Sequence, residues 1–174
     1  MSDLRYPIGR YEQKPFSEAQ KTEWLNNIRV LPTELEYAIQ NLDAAQLQSP
    51  YREGGWTIHQ LVHHVADSHM NAYVRFKLAL TEDEVTVKSY EEQLWAELND
   101  VRELPVNISI TLLYALHARL YAAIKDLKEE QWNRPLNYPG KPAPVTIWFL
   151  LGMYSWHGKH HTAHILSYRK ANHI

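Results

Sequence analysis

Apolar residues recur at helical spacing in four long stretches of this chain. In the first, Trp24, Leu25, Ile28, Leu31, Leu35 and Ala38 follow Ser17-Glu18-Ala19-Gln20, a capping-box pattern that satisfies exposed backbone groups at a helix start. Pro32 falls inside this stretch and predicts a kink or a split. The second opens at Thr57-Ile58-His59-Gln60, again a capping box, after a Gly54-Gly55 turn, and runs to about Leu80. The third spans roughly Ser109 to Leu127, with Leu113, Leu116, Leu120, Ile124 and Leu127 as its stripe. The fourth starts near Thr146, after a loop broken by Pro139, Gly140, Pro142 and Pro144, and continues to about Ala171. No stretch alternates with period two between hairpin turns, so strands are expected to be minor or absent.

This pattern predicts an all-α chain, a four-helix bundle forming one domain over residues 1–174, long enough to bury its own core. About 28 residues, Thr81 to Ile108, join the second and third helices, with a short helix expected around Tyr90 to Leu98. A helix of about 24 residues is about 36 Å long. The linker can return over that length, so helices two and three are expected to run parallel across a long crossover.

Composition narrows the chemistry. Apolar residues make up 45% and charged residues 22%, and the net charge of -2 suggests neither nucleic acid nor a membrane surface as partner. The segment Met1-Ser2-Asp3-Leu4-Arg5-Tyr6-Pro7 lacks the apolar core of a signal peptide, so a cytoplasmic location is expected. The chain has no cysteine, which excludes disulfides, protein thiolate ligands and a cysteine nucleophile. A metal would have to sit on imidazole and carboxylate, which suits zinc, with nickel or iron as alternatives.

Histidine supplies that donor set. His157, His160, His161 and His164 crowd into nine residues of the fourth helix. On a helical wheel His160, His164, His157 and His161 span about 100° and share the mainly apolar half. Two pairs there, His160/His164 and His157/His161, have the i,i+4 spacing that lets two imidazoles share an ion, and periodicity does not choose between them. On the second helix, His64 borders the apolar stripe, while His63 lies roughly 160° from the stripe's centre and is expected to face water. His69 falls within the stripe. Ser68, Asn71 and Arg75 lie within about 40° of His64, which makes Arg75 a candidate anchor for a substrate anion, against the plainer reading of a solvated arginine at the rim. Four inward imidazoles left unpartnered would each cost on the order of a few kcal/mol, and a shared cation removes that cost. Other metal and nucleophile patterns fail: there is no Glu-x-x-His, His160 is followed by His161 rather than glutamate, and no nucleophile elbow occurs.

The run Gly54-Gly55-Trp56-Thr57, the doubled His63-His64, Ala66-Asp67-Ser68-His69-Met70-Asn71 and the late Trp156-His157 followed by His160-His161-Thr162-Ala163-His164-Ile165 resemble the DinB superfamily, and its YfiT branch in particular. Tyr6-Pro7-Ile8-Gly9 and Ser49-Pro50-Tyr51-Arg52 are similar as well, so the likeness covers essentially the whole chain. The resemblance implies a four-helix bundle and a cytoplasmic, homodimeric, metal-dependent hydrolase with one divalent ion. It implies His64, His160 and His164 as ligands, with His157 and His161 packed around them. Relatives in the superfamily imply an alternative, a transferase using a low-molecular-weight thiol such as bacillithiol or mycothiol.

Three neutral imidazoles leave a divalent ion its full charge and an open coordination position, where a water would have a pKa near ~7. Hydrolysis of a small molecule is therefore the expected reaction, with Asp67 as a candidate proton acceptor, although it lies about 60° from His64 on the side away from the apolar stripe. A small thiol in the same position would give the transferase reading. A metal- or ligand-binding bundle without turnover is the third class.

Overall fold

The computed structural model describes residues 4–174; Met1, Ser2 and Asp3, at the head of the segment that lacks a signal-peptide core, lie outside them. In chain order the elements are α1 (Glu18–Ile39), α2 (Ala44–Leu47), α3 (Ile58–Thr81), α4 (Glu92–Trp95), α5 (Asn99–Glu103), α6 (Val106–Ile124), α7 (Glu129–Trp132), β1 (Pro135–Leu136), β2 (Val145–Thr146) and α8 (Ile147–Ala171). The long helices α1, α3, α6 and α8 make the expected bundle. Their starts follow the side-chain caps: Ser17 accepts from the Gln20 amide, Thr57 and Gln60 close a full capping box, and Thr146 accepts from the Phe149 amide.

Pro32 does not split α1, which runs unbroken from Glu18 to Ile39 with the proline ring buried. The third long helix starts at Val106 and ends at Ile124, about a turn ahead of the expected bounds, because Pro105 occupies the N-cap with extended backbone and no side-chain cap marks the spot. The expected short helix in the crossover is α4, confined to Glu92–Trp95. Strands are minor as expected: β1 and β2 form one two-residue antiparallel pair at the foot of α8.

Side-chain contacts fix the directions of the helices. Along α3 and α6, His63 meets Ser109, His69 meets His117 and Arg119 lies over Tyr73, so the two run parallel, as the long linker predicts. Trp24 meets Trp148, Asn27 meets Ser155 and Arg169 reaches the Ala38 carbonyl, so α1 and α8 are parallel too. Between these pairs the sense reverses, with His64 near His161 and Arg75 near Tyr154 on α3 and α8. Two parallel pairs thus mate antiparallel, with each long helix touching two others.

Glycine sets the closeness of α1 and α8. A Cβ at Gly152 would stand 2.6 Å from the Trp24 ring, and one at Gly158 would stand 2.7 Å from the Leu31 side chain. Two apolar clusters fill the bundle, one around Trp24, Phe76, Leu120 and Tyr154, the other around Leu35, Leu61, Leu113 and Ile165. His69, His117, His157 and His161 occupy the helix positions between them, so the core is interrupted by a layer of imidazoles. Among the described residues no helix is long and apolar enough to cross a membrane.

Candidate metal centre

The antiparallel packing of α3 on α8 brings His64 opposite His157 and His161. The Nε2 of His157 lies 3.3 Å from Nε2 of His64 and 3.1 Å from Nε2 of His161. Nitrogens bound tetrahedrally at about 2.0–2.1 Å from one ion stand about 3.3 Å apart. Burial pushes His64 down to about 4, and burial together with neighbouring imidazoles holds His157 and His161 well below the usual histidine value. All three are therefore neutral at pH 7, the state in which imidazole binds a metal. A carboxylate is absent from this group, so a bound ion would keep its charge.

Among the described residues a second triad forms from His160, His161 and His164, and His161 belongs to both. The expected combination of His64, His160 and His164 is not brought together: His64 stands in the first triad, the other two in the second. The reason is what faces each side of α8. His157 and His161 turn toward α3, whereas His160 stacks on Trp156 at 4.4 Å and His164 stacks on Tyr51 at 4.2 Å, under the N-terminal segment. Nε2 of His164 lies 3.3 Å from the Arg5 carbonyl.

A cavity of about 220 Å³ opens beside the first triad, lined by His157 with Ser68, Arg75, Tyr90, Glu92, Tyr138 and Tyr154. Arg75 is the one lysine, arginine, aspartate or glutamate buried among the described residues. It donates to the hydroxyls of Tyr154 and Tyr138 and to the Lys88 carbonyl, so no carboxylate neutralises it through a hydrogen bond in that set. The crossover covers this face of α3, which is why Arg75 is not the solvated rim residue of the plainer reading. Glu92, at the rim, has its carboxyl raised by partial burial, opposed by Arg75. Asp67 belongs to neither triad; burial first, and the Asp100 charge second, raise its carboxyl to about 6.

Residues 28–165 match the family model for the DinB superfamily. The chain belongs to that superfamily. Proteins named "Putative metal-dependent hydrolase" in Bacillus cereus (strain ATCC 10987 / NRS 248) and Bacillus anthracis (strain CDC 684 / NRRL 3495) are each 49% identical to it over 171 residues, 98% of either chain. Its fold matches that of YfiT from Bacillus subtilis with a TM-score of 0.93, at 40% identity and over 98% of both chains; YfiT is described as "a probable metal-dependent hydrolase with an unusual four-helix bundle topology". Membership and bundle are as the glycine-tryptophan cap and histidine motifs imply.

Within this DinB-superfamily bundle, three further residues lie outside what the sequence pattern indicates. His63 is buried rather than wet, because the crossover and α6 cover it: Nδ1 lies 2.8 Å from the Ser109 hydroxyl and Nε2 lies 3.2 Å from the Leu104 carbonyl. Glu92 had no signal beyond its place in the short crossover helix. His117 carries a weak signal of its own, since it sits next to Leu116 in the α6 stripe, where a polar residue among buried leucines marks a candidate.

Proposed function

We propose that this protein is a metal-dependent hydrolase of a small, anionic substrate, with one divalent ion, zinc before nickel or iron, on Nε2 of His64, His157 and His161. One observation carries the reading: three neutral imidazole nitrogens from two helices converge at metal-ligand spacing beside a cavity. When bound, the ion supplies Lewis acidity and acidifies water at an open coordination position. The three histidines hold that position at the cavity wall.

Arg75 takes the substrate's negative group. Its guanidinium is oriented by two tyrosine hydroxyls and a carbonyl, so it meets a carboxylate or phosphate without first rearranging. The Tyr90 hydroxyl, buried beside Ser68, lines the same cavity and offers the substrate one hydrogen bond. For the proton released from the attacking group, Glu92 is the preferred acceptor ahead of Asp67, since Glu92 lines the cavity and Asp67 does not. Both carboxyls are raised by burial, which strengthens either as a base. The absence of a carboxylate from the triad itself supports a second reading, in which a small thiol takes the place of water and needs no base once bound.

Metal content of purified wild type and of five single histidine-to-alanine variants tests the ligand set. Stoichiometric metal in the wild type, lost in His64→Ala, His157→Ala and His161→Ala and kept in His160→Ala, is the expected result. Loss in His160→Ala and His164→Ala with retention in His157→Ala and His161→Ala would return the site to the set implied by family resemblance. Hydrolysis of anionic model esters, against conjugation of small thiols, separates the two reactions.

A further inference from the structure

Three buried histidines outside the triad, His117 with His69 and His164 separately, approach it along two lines, and each line ends on a backbone carbonyl. A carbonyl only accepts hydrogen bonds, so it dictates which nitrogen of the adjoining imidazole carries the proton. On one side, His117 points Nδ1 at the Ile28 carbonyl, which puts the proton on Nδ1 and leaves a lone pair on Nε2. The His69 ring lies beside it, 4.8 Å between centroids, and Nε2 of His69 lies 3.3 Å from Nδ1 of His157. His69 Nδ1 and His117 Nε2 are both buried without a hydrogen-bond partner. They are chemically complementary: with His117 protonated on Nδ1, its bare Nε2 is an acceptor, and an Nδ1–H on the neighbouring His69 is a donor.

On the other side, Nε2 of His164 points at the Arg5 carbonyl at 3.3 Å, which puts its proton there and leaves a lone pair on Nδ1. That lone pair lies 3.4 Å from Nδ1 of His161. Following the protons inward, His157 and His161 each carry hydrogen on Nδ1. Each must then present a bare Nε2, and those are the atoms 3.1 Å apart at the candidate centre.

We propose that His69 with His117, and His164 separately, are positioning residues that lock His157 and His161 in the tautomer able to bind a cation. The proposal rests on the His64–His157–His161 reading of the site. It gives His164 a role other than ligation and gives His69 and His117 a role beyond packing. An imidazole backed in this way is also more basic toward the metal and less free to rotate.

The direct test is nitrogen-15 histidine NMR of the zinc-loaded wild type. The expected pattern is Nδ1–H at His117, His69, His157 and His161, and Nε2–H at His164. Alongside it, zinc affinity is measured by chelator competition in His69→Phe and His164→Phe, which keep a ring, and in His69→Gln and His164→Gln, whose amide can both accept and donate. Each phenylalanine variant should lose about 10–100-fold in affinity and each glutamine variant should recover most of it. Zinc bound by the wild type with His69 or His164 in the opposite tautomer overturns the two lines alone. Phenylalanine variants that bind zinc as tightly as wild type overturn them as well. A wild type that binds no zinc overturns the metal reading itself, and the wild-type spectrum decides the tautomers even where a variant does not fold.

Discussion

The two histidine triads share a helix, a residue and the same i,i+4 spacing, yet they differ in what covers them. The inner one, His64 with His157 and His161, spans two antiparallel helices and abuts a cavity that holds a buried arginine. The outer one, His160, His161 and His164, lies on α8 alone and is roofed by Trp156, Tyr6 and Tyr51. Identical spacing therefore supplies two candidate donor sets. The inner set combines a partner on a facing helix with a cavity lined by one of its own members, and that combination is the ground for proposing it as the site.

Ligand deletion should separate the two triads most sharply. His157→Ala and His161→Ala should abolish stoichiometric metal, whereas His160→Ala should keep it, read by elemental analysis. Next in size is acid stability of the metal-free protein. His64, His117, His160 and His164 are held down at about 4, from an ordinary value near 6.5, by burial. The unfolded chain thus binds more protons between about pH 6.5 and 4, so stability is full above that window and falls as pH drops through it. The fall is at most about 1.4 kcal/mol per pH unit for each such histidine, and less where solvent screens the ring. Urea melts across pH 7 to 4 check this, and bound zinc should delay the loss by tying up the inner triad.

Arg75→Gln tests whether the cavity beside the inner triad belongs to the site. Loss of a charge-assisted hydrogen bond to an anionic substrate should raise KM by about 10–100-fold, roughly 1.5–3 kcal/mol, with little change for a neutral ester. Equal effects on both substrates would assign Arg75 to packing. The smallest effect is expected at Gly152→Ala, where the new methyl meets the Trp24 ring and should cost about 1–3 kcal/mol of stability without loss of metal. That variant asks whether α8 can shift against α1 while its other face keeps the site.

Much of the frame was legible because caps and stripes are local. Ser17, Thr57 with Gln60, and Thr146 mark helix starts where they occur, and the length of the crossover implied parallel α3 and α6. Where local signals were weak, the outcome differed: α1 runs unbroken through Pro32, and α6 starts early, directly after Pro105. The site was only half legible. A wheel orders His157, His160, His161 and His164 around α8, but it does not say which flank meets α3 and which lies under the N-terminal segment. Nor does it show that the crossover buries His63 and Arg75, or that His117 on α6 comes to lie against His69 on α3.

The sequence by itself determined an all-helical chain, its main helix boundaries, a cysteine-free donor set and a cluster of inward imidazoles, since each depends on residues within a few turns of one another. Tertiary structure alone decided which imidazoles face each other, which carbonyls terminate their hydrogen bonds and where the cavity opens. Those properties depend on the packing of helices nearly a hundred residues apart, and short-range spacing carries no record of it.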